Sequence, residues 1–189
     1  WLYNRAAAAQ VRLGRRDEGL ALYRLAARPE VAPEDTVSHA LNLAHRLITA
    51  GQPREALAQV SKIGAMSPYG RMVLVAVQYR AALQTGDVDA AEAALRYLSE
   101  NRKDNEGAYL EARLEAGETD EAAAVLIARL EDPEERGGAL YQLQGFRTGK
   151  ALGDKDPNAD RDALLARDDV QAAVARHGRV LDLPIWMPW

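Results

Sequence analysis

The chain of 189 residues contains no cysteine, which excludes disulfides, thiolate metal ligands and cysteine nucleophiles. Phenylalanine occurs once and β-branched residues rarely cluster, so intrinsic propensity favours helix over strand. Purely apolar runs such as Met72 to Val77 are far shorter than the ~18 residues that a membrane-spanning helix needs. These features predict an all-α chain without membrane insertion, and both cytoplasm and periplasm remain open as its location.

Basic residues are also too few for general phosphate binding. The chain has 24 Lys and Arg against 28 Asp and Glu, a formal net charge of −4. Nucleic-acid affinity depends mainly on a basic surface that neutralises backbone phosphates, so we expect no nucleic-acid partner. The 48% hydrophobic content is typical of a folded domain.

Four glycines punctuate the chain at regular intervals. Gly14, Gly51, Gly86 and Gly117 are separated by 37, 35 and 31 residues, and each ends one helical pattern just before another begins. The fifth residue after each glycine is small, as the close crossing of two helices requires: Gly19, Ala56, Ala91 and Ala122. Apolar stripes at i, i+4 and i+7 follow in the first three copies, whereas Arg129 breaks the fourth.

A helix–turn–helix unit with a period near 34 residues is typical of tetratricopeptide repeats. From Trp1 to about Pro133 the chain resembles this family, in a degenerate bacterial form that keeps the glycines and alanines. The resemblance implies a right-handed α-solenoid, with four hairpins and a fifth first helix in residues 1–149. Related helical repeats and a plain helical bundle are the alternatives.

The C-terminal part departs from the repeat. A capping box at Asp132–Glu135 predicts the start of the fifth first helix, which carries Phe146 and ends near Gly149. We expect residues 150–159 to form a polar loop. In residues 160–189 the pattern predicts a C-terminal cap, made of one helix or of two helices broken at Asp168, and Gly178 ends its last helix.

The last segment, Leu181 to Trp189, contains two prolines and cannot be one continuous helix. We expect it to run extended and to pack its tryptophans against the terminal helices or in the groove. Self-association of two chains through this tail is the alternative.

One cluster of oxygen-bearing side chains alternates along the polar loop as in a calcium-binding loop: Asp154, Asp156, Asn158, Asp160 and Asp162. However, Ala159 stands where the loop needs glycine, and Leu165 stands where the bidentate glutamate belongs. A solvated turn before a helix is the favoured interpretation.

No constellation for catalysis is visible. His39 and His45 are six residues apart, which places them on different helix faces, and no carboxylate stands at ligand spacing. The sequence has no nucleophile elbow and no phosphate-binding loop. We therefore expect neither enzymatic activity nor a cofactor.

In tetratricopeptide arrays the first helices line a concave groove that holds a partner. The resemblance implies that the groove residues here are Asn4, Arg12, Leu41, His45, Ile48, Thr49, Arg80, Leu83, Gln84, Glu111 and Glu115. Chaperone-binding members use a clamp for a terminal carboxylate, of which only Asn4 and Asn42 match here. Ala8, Val73 and Val77 replace its other polar members, so capture of a C-terminal carboxylate is not expected.

The resemblance thus implies a non-enzymatic module that binds a peptide or helix of a partner protein. The alternative is a C-terminal accessory domain of a larger enzyme or transcriptional regulator. This alternative follows from Trp1, which opens the chain inside a helical pattern without a cap and favours a segment upstream.

Overall fold

The computed structural model describes residues 1–31, 33–147, 156 and 158–186. These residues are mostly helical, which confirms the predicted helical class, and they contain eleven α-helices. The helices of the first unit are α1 (Leu2–Arg12), α2 (Arg16–Ala26), α3 (Thr36–Thr49), α4 (Pro53–Val60), α5 (Pro68–Thr85) and α6 (Val88–Glu100). They are followed by α7 (Glu106–Glu115), α8 (Thr119–Glu131), α9 (Arg136–Leu143), α10 (Ala159–Leu165) and α11 (Asp168–His177).

The described chain divides into two units, and the boundary falls between Tyr109 and Leu110, inside α7. Short 3₁₀ turns at Pro33–Asp35 and Arg102–Asp104 precede α3 and α7. None of the described helices combines the length and apolar character needed to cross a bilayer.

The four punctuating glycines all end helices in the left-handed conformation. Their φ angles are 80° at Gly14, 72° at Gly51, 75° at Gly86 and 77° at Gly117, a region that side chains with a Cβ rarely adopt. The chain therefore turns back after each of α1, α3, α5 and α7, as the sequence predicts.

Small residues allow the helices of each hairpin in the first unit to cross closely. Gly19 of α2 lies so near α1 that a Cβ would stand 2.6 Å from Val11 Cγ2 and 3.0 Å from the carbonyl oxygen of Ala7. The equivalent Ala56 and Ala91 are buried in the next two hairpins. Neighbouring hairpins also pack together, through α2 with α3, α4 with α5 and α3 with α5.

The second unit encloses its own core between α8, α9, α10 and α11. Its buried residues are Leu110, Ala122, Ala123, Leu126, Leu130, Ala139, Leu143, Leu164, Val170, Ala173 and Val174. Arg129, which breaks the sequence pattern, is only 7% exposed. Its guanidinium lies 3.4 Å from Glu135 Oε2 and donates to Gln142 Oε1 at 2.9 Å, so the buried charge is paired.

Both ends of the fifth first helix differ from the sequence prediction. The fifth first helix begins at Arg136 rather than inside the capping box, because Asp132 Oδ1 accepts from the Glu134 backbone N–H within a turn. It ends at Leu143, and Phe146 lies in a strand rather than in the helix. The C-terminal cap forms two helices, with the break just before Asp168, in agreement with one of the two predicted alternatives.

The unit also contains two short strands that the all-α prediction missed. Strand β1 (Gly145–Arg147) pairs in parallel with β2 (Asp182–Trp186). Gln144 reinforces the pair, since its Nε2 donates to the Arg179 carbonyl at 3.2 Å and its Oε1 accepts from the Leu181 N–H at 2.9 Å. The tail is therefore extended, as predicted, but backbone pairing holds it.

Burial of aromatic side chains does not hold the described part of this tail. Ile185 is 52% exposed and Trp186 39% exposed, so the expected packing of the apolar side chains against terminal helices is wrong for these two residues. The Trp186 ring instead lies under the Arg147 guanidinium, 5.1 Å from its carbon to the ring centroid. The predicted loop 150–159 lies largely outside the described residues, as do residues 187–189.

The first testable consequence concerns the helix crossing at Gly19. We expect Gly19→Ala to lower the free energy of unfolding by on the order of 1–3 kcal/mol through overpacking, although alanine is the better helix former. Gly137→Ala is the matched control, because no atom lies within 4 Å of its added Cβ, and it should be neutral or stabilising by up to about 1 kcal/mol. Thermal and urea unfolding measure both, and equal effects would contradict the close crossing.

A second prediction concerns the tail. Truncation after Arg179 removes β2 and Val180, which packs against the core, so the thermal midpoint should fall in a protein of unchanged oligomeric state. Gln144→Ala, which removes the side-chain bonds to the tail together with the Nε2 bond to the Leu140 carbonyl, should give a smaller decrease. An unchanged midpoint together with loss of a dimer would instead assign the tail to self-association.

Candidate functional site

Polar side chains join the neighbouring first helices of the first unit. Asn4 Nδ2 of α1 lies 2.8 Å from His39 Nδ1 of α3. Between α3 and α5, an Arg80 guanidinium nitrogen lies 3.0 Å from His45 Nδ1, and Gln84 Nε2 donates to the Ile48 carbonyl at 2.9 Å. The helices α1, α3 and α5 therefore form one layer, which we call the first-helix layer.

The pair of His45 and Arg80 has a defined protonation state. A guanidinium can only donate hydrogen bonds, so His45 Nδ1 must accept and the imidazole is neutral. Burial, with the nearby positive charges of Arg46 and Arg80, lowers the pKa of His45 to about 3. Thr49 Oγ1 donates to the His45 carbonyl at 3.0 Å.

The predicted groove residues of this unit fall into two groups. Asn4, Leu41 and Ile48 are buried, so their side chains serve the packing between helices rather than an open surface. Arg12, His45, Thr49 and Arg80 are half-buried, whereas Leu83 and Gln84 are exposed. The His45 imidazole lies inside the layer against Arg80, so the other five residues are the ones that can reach a partner. Glu111 is exposed and Glu115 half-buried, and both belong to the second unit.

Charge is unevenly divided between the helices of the first unit. The first-helix layer contains no aspartate or glutamate, whereas α2, α4 and α6 contain six. The layer carries five arginines instead: Arg5, Arg12, Arg46, Arg71 and Arg80. These three helices are therefore positively charged even though the whole chain is acidic.

Three of these arginines lie within electrostatic range of one another or of the same histidine. Burial lowers the pKa of Arg12, and the positive charge of Arg46 adds to this lowering. Arg46 and Arg80 both act on His45. Arg46 also stacks on the Tyr23 ring, with its guanidinium carbon 5.6 Å from the ring centroid. The arrangement concentrates positive charge around His45.

A cleft on a different face of α5 was missed by the sequence analysis. It has a volume of about 430 Å³ and lies between α4 and α6, with α5 as its floor. Its lining is Leu57, Arg71, Val75, Gln78, Ala82, Thr85, Asp87, Ala90, Ala93, Ala94 and Tyr97. The available signal was the run of alanines on α6, whose small side chains leave space beside α4.

The calcium candidate is only partly described. Asp154 lies outside the described residues, Asp156 Oδ1 accepts from the Asn158 N–H at 2.9 Å, and Asp162 Oδ1 lies 3.1 Å from Arg161 Nε. Asn158 and Asp160 lie at the start of α10. Within the described part of the chain, no three acidic, histidine or cysteine residues are grouped so that they could hold a metal ion.

The depressed pKa of His45 predicts a pH dependence of stability. The unfolded chain binds a proton near pH 6.5 whereas the folded chain does not until about pH 3, so stability is complete above pH 6.5 and falls below it. At pH 5 the loss is on the order of 2 kcal/mol. His45→Gln should show a shallower fall of the thermal midpoint between pH 7.5 and 5, and an identical slope would contradict the buried neutral imidazole.

Comparison with known proteins identifies no relative of this chain. No protein-family model, no curated protein and no solved structure matches the chain. Function therefore has to be argued from the residues of the site, since a fold class alone does not imply one.

Proposed function

We propose that this chain is a non-enzymatic protein-interaction module with a tetratricopeptide-like solenoid, whose first-helix layer holds an acidic peptide or helix of a partner protein. The observation that carries the proposal is the complete absence of carboxylates from α1, α3 and α5, combined with the three arginines Arg12, Arg46 and Arg80 near His45.

Support for the repeat type comes from the turns. All four glycines adopt positive φ at spacings of 37, 35 and 31 residues, near the period of tetratricopeptide repeats. The fifth residue after each glycine is buried and small, which permits a close hairpin. Stacked hairpins of this kind present extended surfaces on which a partner segment can lie.

Support for an acidic partner comes from the arginines around His45. A carboxylate placed near several guanidiniums accepts charge-assisted hydrogen bonds from them. Electrostatic complementarity of this kind also accelerates association and selects the partner. The neutral His45 ring accepts one N–H of Arg80 and thereby orients its guanidinium.

The proposal requires surface that a partner can touch. Leu83, which is 46% exposed, and Gln84 extend the basic cluster along α5 with one apolar and one amide side chain. An amphipathic partner helix with carboxylates beside an apolar residue matches this combination. The proposed contact therefore combines apolar packing and amide hydrogen bonds with ion pairs.

The experiment compares charge reversals on two faces of the same helix. Arg80→Glu should reduce recovery of acidic partner proteins from the native cell extract at least tenfold, and His45→Ala should reduce it less. Arg71→Glu is the matched control: it makes the same charge change on α5 but lies in the cleft between α4 and α6, and it should leave recovery unchanged.

A direct binding measurement complements the recovery of partners from the extract. Fluorescence anisotropy with a synthetic glutamate-rich helical peptide, and with a lysine-rich peptide of equal length, should show binding of the first alone. The affinity should fall with added salt, because exposed charges are screened. Equal partner recovery and equal peptide affinity for wild type and Arg80→Glu would refute the first-helix layer as the contact surface.

A further inference from the structure

The cleft between α4 and α6 has the size and the lining of a small-ligand site. Its volume of about 430 Å³ lies within the range of about 300–1,000 Å³ that is typical of small-molecule sites. Most of its wall is apolar and consists of Leu57 on α4, Val75 and Ala82 on α5, and Ala90, Ala93 and Ala94 on α6. The function proposed above leaves this cleft unused.

The cleft and the first-helix layer use opposite sides of α5. The floor of the cleft is a row of residues three or four positions apart, which share one face of a helix: Arg71, Val75, Gln78, Ala82 and Thr85. Arg80 follows Arg71 by nine residues, which is two and a half helical turns, so its side chain leaves the helix on the other side. A ligand in the cleft therefore does not compete with the proposed partner surface.

Hydrogen-bond donors are concentrated at one end of the cleft. Because α5 and α6 form a hairpin that turns at Gly86, Tyr97 of α6 lies beside Val75 of α5. Arg71 is one turn before Val75, and Gln78 is one turn after it. Within the part of the chain that the structure describes, the side chains of Arg71, Gln78 and Tyr97 have no hydrogen-bond or ion-pair partner. Their guanidinium, amide and hydroxyl groups are therefore available to a ligand.

The opposite end of the cleft is unsuited to an anion. Asp87 lies there and caps α6, since its Oδ1 accepts from the Ala90 N–H at 3.1 Å. The Thr85 hydroxyl donates to the Ala81 carbonyl at 2.9 Å and is already engaged. The carboxylate of Asp87 repels a second negative charge. An anionic group is therefore favoured only at the end that carries Arg71, and this polarity determines the direction in which a ligand lies.

We propose that the cleft binds a small amphipathic monocarboxylate of the medium-chain fatty acid type. Its carboxylate accepts from Arg71 and Tyr97, and its alkyl chain lies along α5 toward Ala82. The floor from Val75 to Ala82 is about 10 Å long at ~1.5 Å per residue, which is about the length of a saturated chain of ten carbons. Burial of that chain against the apolar wall drives binding, and the guanidinium selects the charge of the head group.

Ligands that share either the chain or the head group test this assignment. Isothermal titration calorimetry of the purified protein with decanoate should give a Kd on the order of 0.1–1 mM, as expected for about twelve non-hydrogen atoms. Decyltrimethylammonium has the same chain with a positive head group, and it should bind at least fivefold more weakly. Acetate, which has the carboxylate without the chain, should give no binding heat up to about 10 mM.

Removal of one charge tests the position of the head group. Arg71→Gln should weaken decanoate binding roughly fivefold or more, because the charge-assisted hydrogen bonds are lost. Arg96→Gln is the matched control, since Arg96 is an exposed arginine of α6 that does not line the cleft, and its Kd should equal that of the wild type. Equal weakening by both variants would show a general effect of net charge and would overturn the assigned head-group position.

Filling the cleft tests the position of the chain. Ala93→Leu should abolish decanoate binding and leave the helical circular dichroism spectrum unchanged, because Ala93 is exposed and leucine is also a good helix former. A wild-type protein that binds no decanoate, or an Ala93→Leu variant that binds it as the wild type does, would refute the proposal. So would tighter binding of decyltrimethylammonium than of decanoate. Tighter binding of a trileucine peptide with a free C-terminus would assign the site to a peptide terminus instead and would overturn the fatty acid.

Discussion

The close crossing of two short helices is the contact on which the first unit depends. An isolated helix of eleven residues such as α1 is marginal in water, so it persists only because its hairpin partner covers it. Gly19 allows that approach in the first hairpin, and alanine does so at the equivalent positions of the next two. Each hairpin still leaves apolar side chains that only a neighbouring hairpin can bury. The burial of apolar side chains therefore both stabilises each hairpin and requires a neighbouring hairpin.

This dependence also decides where polar groups can stand. Side chains between first helices lose contact with water, and each then needs a partner, as His45 finds in Arg80 and the Ile48 carbonyl finds in Gln84. The carboxylates of the first unit's helices lie on the second helices, where Glu55 pairs with Arg24 at 2.8 Å. The segregation leaves the first-helix layer basic within an acidic chain, and from this contrast a function can be argued.

The second unit follows different rules. Its core lies between α8 and the helices α9, α10 and α11, which do not form a further hairpin of the repeat, and its C-terminal segment is held by backbone pairing with β1. Gly145 has no room for a side chain there, because a Cβ would stand 2.1 Å from Asp182 Oδ1 and 3.2 Å from its Cα. Gly178 similarly approaches Leu140, whose Cδ1 would be 2.7 Å from an added Cβ. Gly145 and Gly178 are needed because other atoms approach their Cα closely. The four glycines that end helices are needed because their φ angles are positive.

Local patterns in the sequence determined the helical class, the positions of the four turns and the small residues at each crossing. These features depend on nearby residues, since a helix end needs its own glycine and an apolar stripe needs only the helical period. The separation of candidate groove residues into buried Asn4, Leu41 and Ile48 and accessible Arg12, Arg80 and Gln84 was decided by tertiary packing. So was the pairing of β1 with β2, which joins segments about 37 residues apart. A strand of three residues gives almost no local signal, and burial depends on which neighbour covers a face, so neither follows from periodicity alone.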